Sequence, residues 1–150
     1  MEFRDSYPIP AEAPQVWSAM LDPEVMRLVL PGCRRLERTD DTSFDVTLAA
    51  GIGVLRGVFT GSVVFRDLEP TSSCGMDIAA QGSLGRVAGT GAIGLTPEGD
   101  GTILSYRATF TFGGPMAGLG ESLMRSVADA LMREAMKRFS AIVSAPVAEA

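Results

Sequence analysis

Between Arg34 and Phe112 apolar and polar side chains take turns, and beyond Gly113 the apolar interval lengthens to three or four residues. A period of two marks strands with one dry face, and a period near 3.6 marks a helix with one apolar stripe. Phe44, Val46, Leu48 and Ala50 alternate with Ser43, Asp45 and Thr47. Leu55, Phe59, Val63 and Phe65 share one phase of a long strand, and Cys74, Met76, Ile78 and Ala80 share the next. Val87, Ile93 and Leu95 follow, and then Leu104, Tyr106, Ala108, Phe110 and Phe112 oppose Ser105, Arg107, Thr109 and Thr111. Turn signals at Asp40-Asp41, Gly51-Ile52-Gly53, Glu69-Pro70-Thr71-Ser72 and Glu98-Gly99-Asp100-Gly101 separate the runs. One-sided alternation with short turns predicts an antiparallel meander, wet on its outer face.

Ahead of it, Phe3, Asp5, Tyr7 and Ile9 share a phase of a first strand that stops at Pro8 and Pro10. Pro14 opens a short helix whose apolar face is Val16, Trp17, Met20 and Leu21. A second short helix starts with Asp22 as N-cap, Pro23 in the first position and Glu24 at the positive end of the dipole. It carries Val25, Leu28 and Val29 and ends at Pro31-Gly32.

The last third predicts one long helix with a stripe of Leu119, Leu123, Met124, Val127, Ala128, Leu131, Ala135, Phe139 and Ile142. Glu121, Arg125, Asp129, Arg133 and Lys137 follow one another at four-residue spacing on the other face, so i,i+4 ion pairs are expected. Such a helix reaches roughly 35 Å. Glycines inside the strands (Gly57, Gly61, Gly75, Gly82, Gly89, Gly91 and Gly94) let the sheet bend sharply around it. The expectation is an α+β protein, one domain over residues 1–145 with a disordered tail at 146–150.

Composition narrows the function. A net charge of −5 argues against a nucleic-acid partner. No apolar run approaches the ~18 residues of a membrane span, and the polar start Met1-Glu2-Phe3-Arg4-Asp5 does not read as a signal peptide. Cys33 and Cys74 lack metal-ligand spacing and are expected as free thiols in a cytoplasmic protein. There is no histidine, which removes the commonest general base and the Ser-His and Cys-His nucleophile pairs. No cofactor, metal or catalytic residue is expected.

Gly89-Thr90-Gly91-Ala92-Ile93-Gly94 has the spacing of a phosphate loop. That mechanism needs the glycines to open a helix, whereas this run leads to Leu95-Thr96-Pro97, so it reads as a bent strand. Gly113, Gly114, Gly118 and Gly120 read as a flexible entrance rather than an anion nest, since no lysine or arginine adjoins them. The candidate site is the set of inward phases. Phe44, Val46, Leu48, Phe59, Val63, Phe65, Met76, Ile78, Ile93, Leu104, Tyr106, Phe110 and Phe112 face Met116, Leu119, Leu123, Met124 and Val127. The residues alone leave open whether this is solid core or a ligand cavity. Small inward neighbours and eight adaptable methionines favour unfilled space. Asp5 and Tyr106 are the rare polar groups in those phases, and the pair on which any acid–base chemistry would depend.

The order of elements resembles the START-like helix-grip fold. Ile9-Pro10-Ala11, Pro14 with Val16-Trp17, Asp22-Pro23-Glu24 and Leu30-Pro31-Gly32-Cys33 are similar to the opening of the CoxG-like family of carbon monoxide dehydrogenase subunits. Gly57 to Phe65, Gly89-Thr90-Gly91, Gly99-Asp100-Gly101-Thr102 and Gly113-Gly114…Leu119-Gly120 extend the likeness over nearly the whole chain. It implies a seven-stranded curved antiparallel sheet wrapped around the C-terminal helix, with the two short helices between strands 1 and 2. It also implies a non-catalytic carrier of a quinone- or lipid-like molecule, accessory to a molybdenum CO dehydrogenase-type enzyme. Transient contact with the inner face of the membrane comes with that role. Two other readings stay open: a cyclase- or dehydratase-type enzyme of the same fold, and a docking adaptor without ligand.

Overall fold

The computed structural model describes residues 1–52 and 55–144. The tail expected at 146–150 and Gly53 of the expected 51–53 turn lie outside these residues. Seven strands form one antiparallel sheet: β1 (Glu2–Ile9), β2 (Cys33–Asp40), β3 (Ser43–Ile52), β4 (Leu55–Glu69), β5 (Ser73–Gly82), β6 (Gly85–Glu98) and β7 (Gly101–Gly113). Their order is β1-β7-β6-β5-β4-β3-β2, so the first strand pairs with the last and the meander runs back across the sheet. The outermost strands are therefore β1 and β2. Pro8 lies in β1, and β2 carries Arg34, Arg35, Glu37, Arg38 and Asp40.

Helices α1 (Ala13–Met20) and α2 (Pro23–Val29) bridge β1 and β2. Glu12 caps α1 through a reciprocal box with Gln15, which places Pro14 in the second helical position rather than the first. Asp22 caps α2 as expected, its carboxylate accepting from the Glu24 N–H at 2.9 Å. The buried Thr102 hydroxyl donates to the Ala11 carbonyl at 2.7 Å and fixes the lead-in to α1 against β7.

The sheet bends where side chains are missing. A Cβ on Gly61 would fall 1.9 Å from the Ala79 carbonyl oxygen, so β4 and β5 approach more closely there than any side chain allows. Between Arg66 and Glu69 the β4–β5 register shifts, with Asp67 at φ 51°, and this bulge adds twist. Gly89, Gly91 and Gly94 all lie inside β6, so the glycine run is a bent strand.

The C-terminal segment departs from one continuous helix. Pro115–Leu119 form a short 3₁₀ turn, Gly120 breaks the path at φ 93°, and α3 runs from Glu121 to Val143. Leu119 therefore does not belong to the long helix. Met124 and Phe139 are buried on α3, whereas Leu123 and Leu131 stay 37% and 39% exposed. Facing inward are Ala135 of the expected stripe and, outside it, Met132 and Met136. Among the described residues the ion pair of α3 is Arg138–Glu134 at 3.1 Å, not the expected Glu121-to-Lys137 ladder. Arg125 leaves that ladder because it lies 4.9 Å over the Phe3 ring and donates to the Glu2 carbonyl at 3.0 Å.

Candidate functional site

The concave face of the sheet is built in transverse rows. Register places Phe65, Met76, Gly91, Ala108 and Phe3 side by side on β4, β5, β6, β7 and β1. The neighbouring row is Val63, Ile78, Gly89 and Phe110. Gly89 has no Cβ, and the Phe110 ring occupies that space, 2.5 Å from where a Cβ would stand. Gly91 and Ala108 leave a low floor between Met76 and Phe3. Over it, α3 presents Met132, Ala135 and Met136, and Met20, Met26, Val29 and Leu30 of the α1–α2 segment close one end.

The result is a cavity of about 220 Å³ between sheet and helix. Its walls are Phe65, Ile78, Ile93, Leu104, Phe110 and Phe139 together with the five methionines Met20, Met26, Met76, Met132 and Met136. Such a largely apolar space holds water poorly, since a water needs two to four polar partners. Thioether side chains have three rotatable bonds and adapt to irregular guests.

Seven of the expected lining residues meet here: Phe65, Met76, Ile78, Ile93, Leu104, Tyr106 and Phe110. Phe44 and Val46 are buried in the same core, with Leu48 and Val63 packed against it. Phe59, Met116 and Met124 form a separate cluster with Leu84, flanked by Phe112, Leu119 and Val127. That cluster packs the 3₁₀ turn and the start of α3 against β4 and the β5–β6 turn. Leu123 faces outward. Met20, Val29, Ala135 and Phe139 stand on the expected apolar faces of their helices without being expected at the site, and Met26, Met132 and Met136 do not emerge from the pattern. A signal exists in the i,i+4 pair Met132 and Met136 and in the lateral match of Gly91 with Ala108, but the latter appears only once the register is known.

The polar candidates divide. Asp5 is exposed at the rim, its carboxylate accepting from the Ser6 N–H at 2.8 Å. It is the register partner of Tyr106. Tyr106 lines the cavity, stacks on Tyr7 with ring centroids 6.2 Å apart, and donates to Met132 Sδ at 3.8 Å. Burial, then the adjoining Tyr7, push its hydroxyl well above the ordinary phenol range, so it stays a protonated donor. Cys33 is half-buried and Cys74 buried, and burial raises both thiols, that of Cys74 to about 11. Neither is an activated nucleophile. Among the described residues no cluster of His, Cys, Asp or Glu could hold a metal ion. No helix there is long and apolar enough to cross a membrane.

A curved seven-stranded sheet gripping one long helix, with paired short helices after the first strand, defines the START-like helix-grip class. The model of the family described as CoxG, a subunit of carbon monoxide dehydrogenase, matches residues 6–144, and the chain belongs to that family. The chain is similar to a conserved protein from Geobacillus kaustophilus of known structure, with TM-score 0.91 and 24% identity over 96% of this chain and 95% of that one. A protein from Thermus thermophilus matches with TM-score 0.71 and 19% identity over 95% of this chain and 97% of that one. A START superfamily protein from Mycobacterium smegmatis matches with TM-score 0.68 and 16% identity, over 95% and 97% respectively. These likenesses establish the fold alone. No curated protein matches the sequence.

Proposed function

We propose that this protein encloses an apolar small molecule, a quinone or a lipid of similar chemistry, and carries it without transforming it. The observation that supports this reading most directly is the methionine-lined void under a helix buried only at Met124 and Phe139. Each CH₂ moved from water into such a space contributes about 0.8 kcal/mol, so a tail is held with no charged contact. The cavity of about 220 Å³ is smaller than the pockets that enclose a drug-sized ligand, roughly 300–1,000 Å³. A short segment fits as the chain stands; a longer one requires α3 to lift, with Gly114 and Gly120 as hinge positions at φ 77° and 93°. The enzyme alternative loses the buried acid it needs, because Asp5 is exposed. Family membership supports a carbon monoxide dehydrogenase-type oxidoreductase as the partner the carrier serves.

Charge placement supports contact of the less acidic end of the sheet with a membrane surface as the place of exchange. The turns at one end of the sheet hold Asp40, Asp41, Asp67, Glu69, Glu98 and Asp100. The opposite end holds Arg56 and Arg86, which form no ion pair among the described residues, beside exposed Leu55, Val58 and Leu123 and the carboxylates Glu2 and Glu121. Exposed leucines away from the acidic turns suit a membrane interface.

Native mass spectrometry of freshly purified protein tests the carrier reading, with organic extraction to identify the guest. Recovery of a stoichiometric quinone or lipid is the expected result. A protein that retains nothing, and takes up none of these molecules when offered them, refutes it.

A further inference from the structure

The carrier reading leaves the chemistry of the guest's head open, and one corner of the cavity bears on it. Tyr106 supplies the one hydroxyl among the side chains at the cavity wall. Arg107, which also borders it, belongs to the opposite phase of β7 and is exposed. The Tyr106 hydroxyl points to Met132 Sδ at 3.8 Å. A thioether is a weak acceptor, and Met132 itself lines the cavity, so a small turn of a flexible side chain frees the donor. The Tyr7 ring, stacked at 6.2 Å, fixes the Tyr106 ring in place.

Two carboxylates and an arginine lie around this donor. Asp5 is its register partner on β1, and Asp129 lies one turn of α3 before Met132. Both carboxylates act on the Tyr106 hydroxyl, while the Arg133 guanidinium acts on Tyr7. An oxygen that accepts from Tyr106 therefore meets the field of two carboxylates, with Arg133 on the Tyr7 side. A ketone, ester or ether oxygen tolerates that field. A carboxylate has to overcome it while losing its water.

Resting on the carrier reading, we infer that Tyr106, with Asp5 and Asp129 beside it, is the specificity determinant of the cavity. It accepts neutral amphiphiles whose head takes a hydrogen bond and refuses carboxylate amphiphiles of the same length. The guest then lies with its head at the β1–α3 seam and its tail toward Met20 and Met26.

Three probes of matched length separate the ideas: 2-undecanone, decanoate and undecane, each titrated at neutral pH into the protein by displacement of N-phenyl-1-naphthylamine. The ketone is expected to bind at least about tenfold more tightly than decanoate. Tyr106→Phe should cost the ketone about five- to tenfold, leave undecane unchanged and keep the unfolding temperature. Asp5→Asn with Asp129→Asn should narrow the gap between ketone and decanoate without altering undecane. Equal affinity for ketone and decanoate, or an equal loss of ketone and undecane in Tyr106→Phe, overturns the assignment while the carrier reading survives. Binding of none of the three overturns both.

Discussion

Met124 and Phe139 are the two buried side chains of α3, and they lie roughly 22 Å apart along its axis at 1.5 Å per residue. Between them the helix spans the cavity as a beam rests on two posts. Apolar helices are held to a sheet mainly by the stripe they bury. Here the middle of that stripe, Met132, Ala135 and Met136, faces empty space. The helix is thus firmly seated at two places and loosely packed where a guest would lie.

Filling the gap should stabilise the chain and close it. Ala135→Leu adds three carbons to the void, and at about 0.8 kcal/mol per buried CH₂ the gain is about 1–2 kcal/mol after some loss to strain. The urea midpoint should rise while affinity for N-phenyl-1-naphthylamine falls at least about tenfold. A variant that is more stable yet binds the dye unchanged would place the dye elsewhere.

The Thr102–Ala11 bond should be costly to remove. Thr102 is 1% exposed, and Thr102→Val leaves the Ala11 carbonyl without its donor. A loss of about 1–3 kcal/mol is expected from equilibrium unfolding, because a buried acceptor is left unsatisfied. Thr102→Ser, which keeps the hydroxyl, should recover most of it.

Gly61 is required by its neighbour's backbone. In Gly61→Ala the new methyl meets the Ala79 carbonyl oxygen, which cannot turn aside without breaking the β4–β5 ladder. The expected penalty is about 2–4 kcal/mol, seen as a lowered thermal midpoint. Gly94→Ala, where no atom lies within 4 Å, serves as the control and should fall within about 0.5 kcal/mol of the parent.

Cys74 makes the chain sensitive to alkali. Its thiol is raised from 9.0 to about 11 by burial, so the folded state keeps the proton that the unfolded chain releases. Stability from this group is complete below pH 9 and declines as pH climbs toward 11. Cys74→Ala should flatten that part of a urea-midpoint profile against pH, though not abolish the decline, because Tyr106 is raised in the same direction. Identical slopes in parent and variant would remove Cys74 as a contributor.

The sheet is largely legible in the sequence because its residues repeat every two positions and its turns carry strong signals. Asp22-Pro23-Glu24 marks α2 as clearly, each residue having one physical role at a helix start. What the pattern does not reveal is which residues lie across from one another. Gly91 and Ala108 are ordinary in sequence and become a cavity floor only when β6 and β7 pair. The apolar character of Leu123 and Leu131 points them inward, yet the seam is offset from them by about a residue, toward Met124 and Met132. Apolar pattern fixes a stripe's period better than its angle when leucines border both sides of it. The turn at Gly120 changes the angle further, by separating Leu119 from the helix it is expected to begin.

The borders of the sheet bear on how such a chain behaves in company. A protein that opens to admit oily material risks offering its own unsatisfied backbone to a sister molecule at the same moment. One border carries a proline within its strand and the other a dense series of ionised side chains, Arg34 through Asp40. Both discourage a stranger from adding itself to the ladder. If the helix lifts over the cavity as proposed, these borders keep neighbouring chains from knitting into fibres.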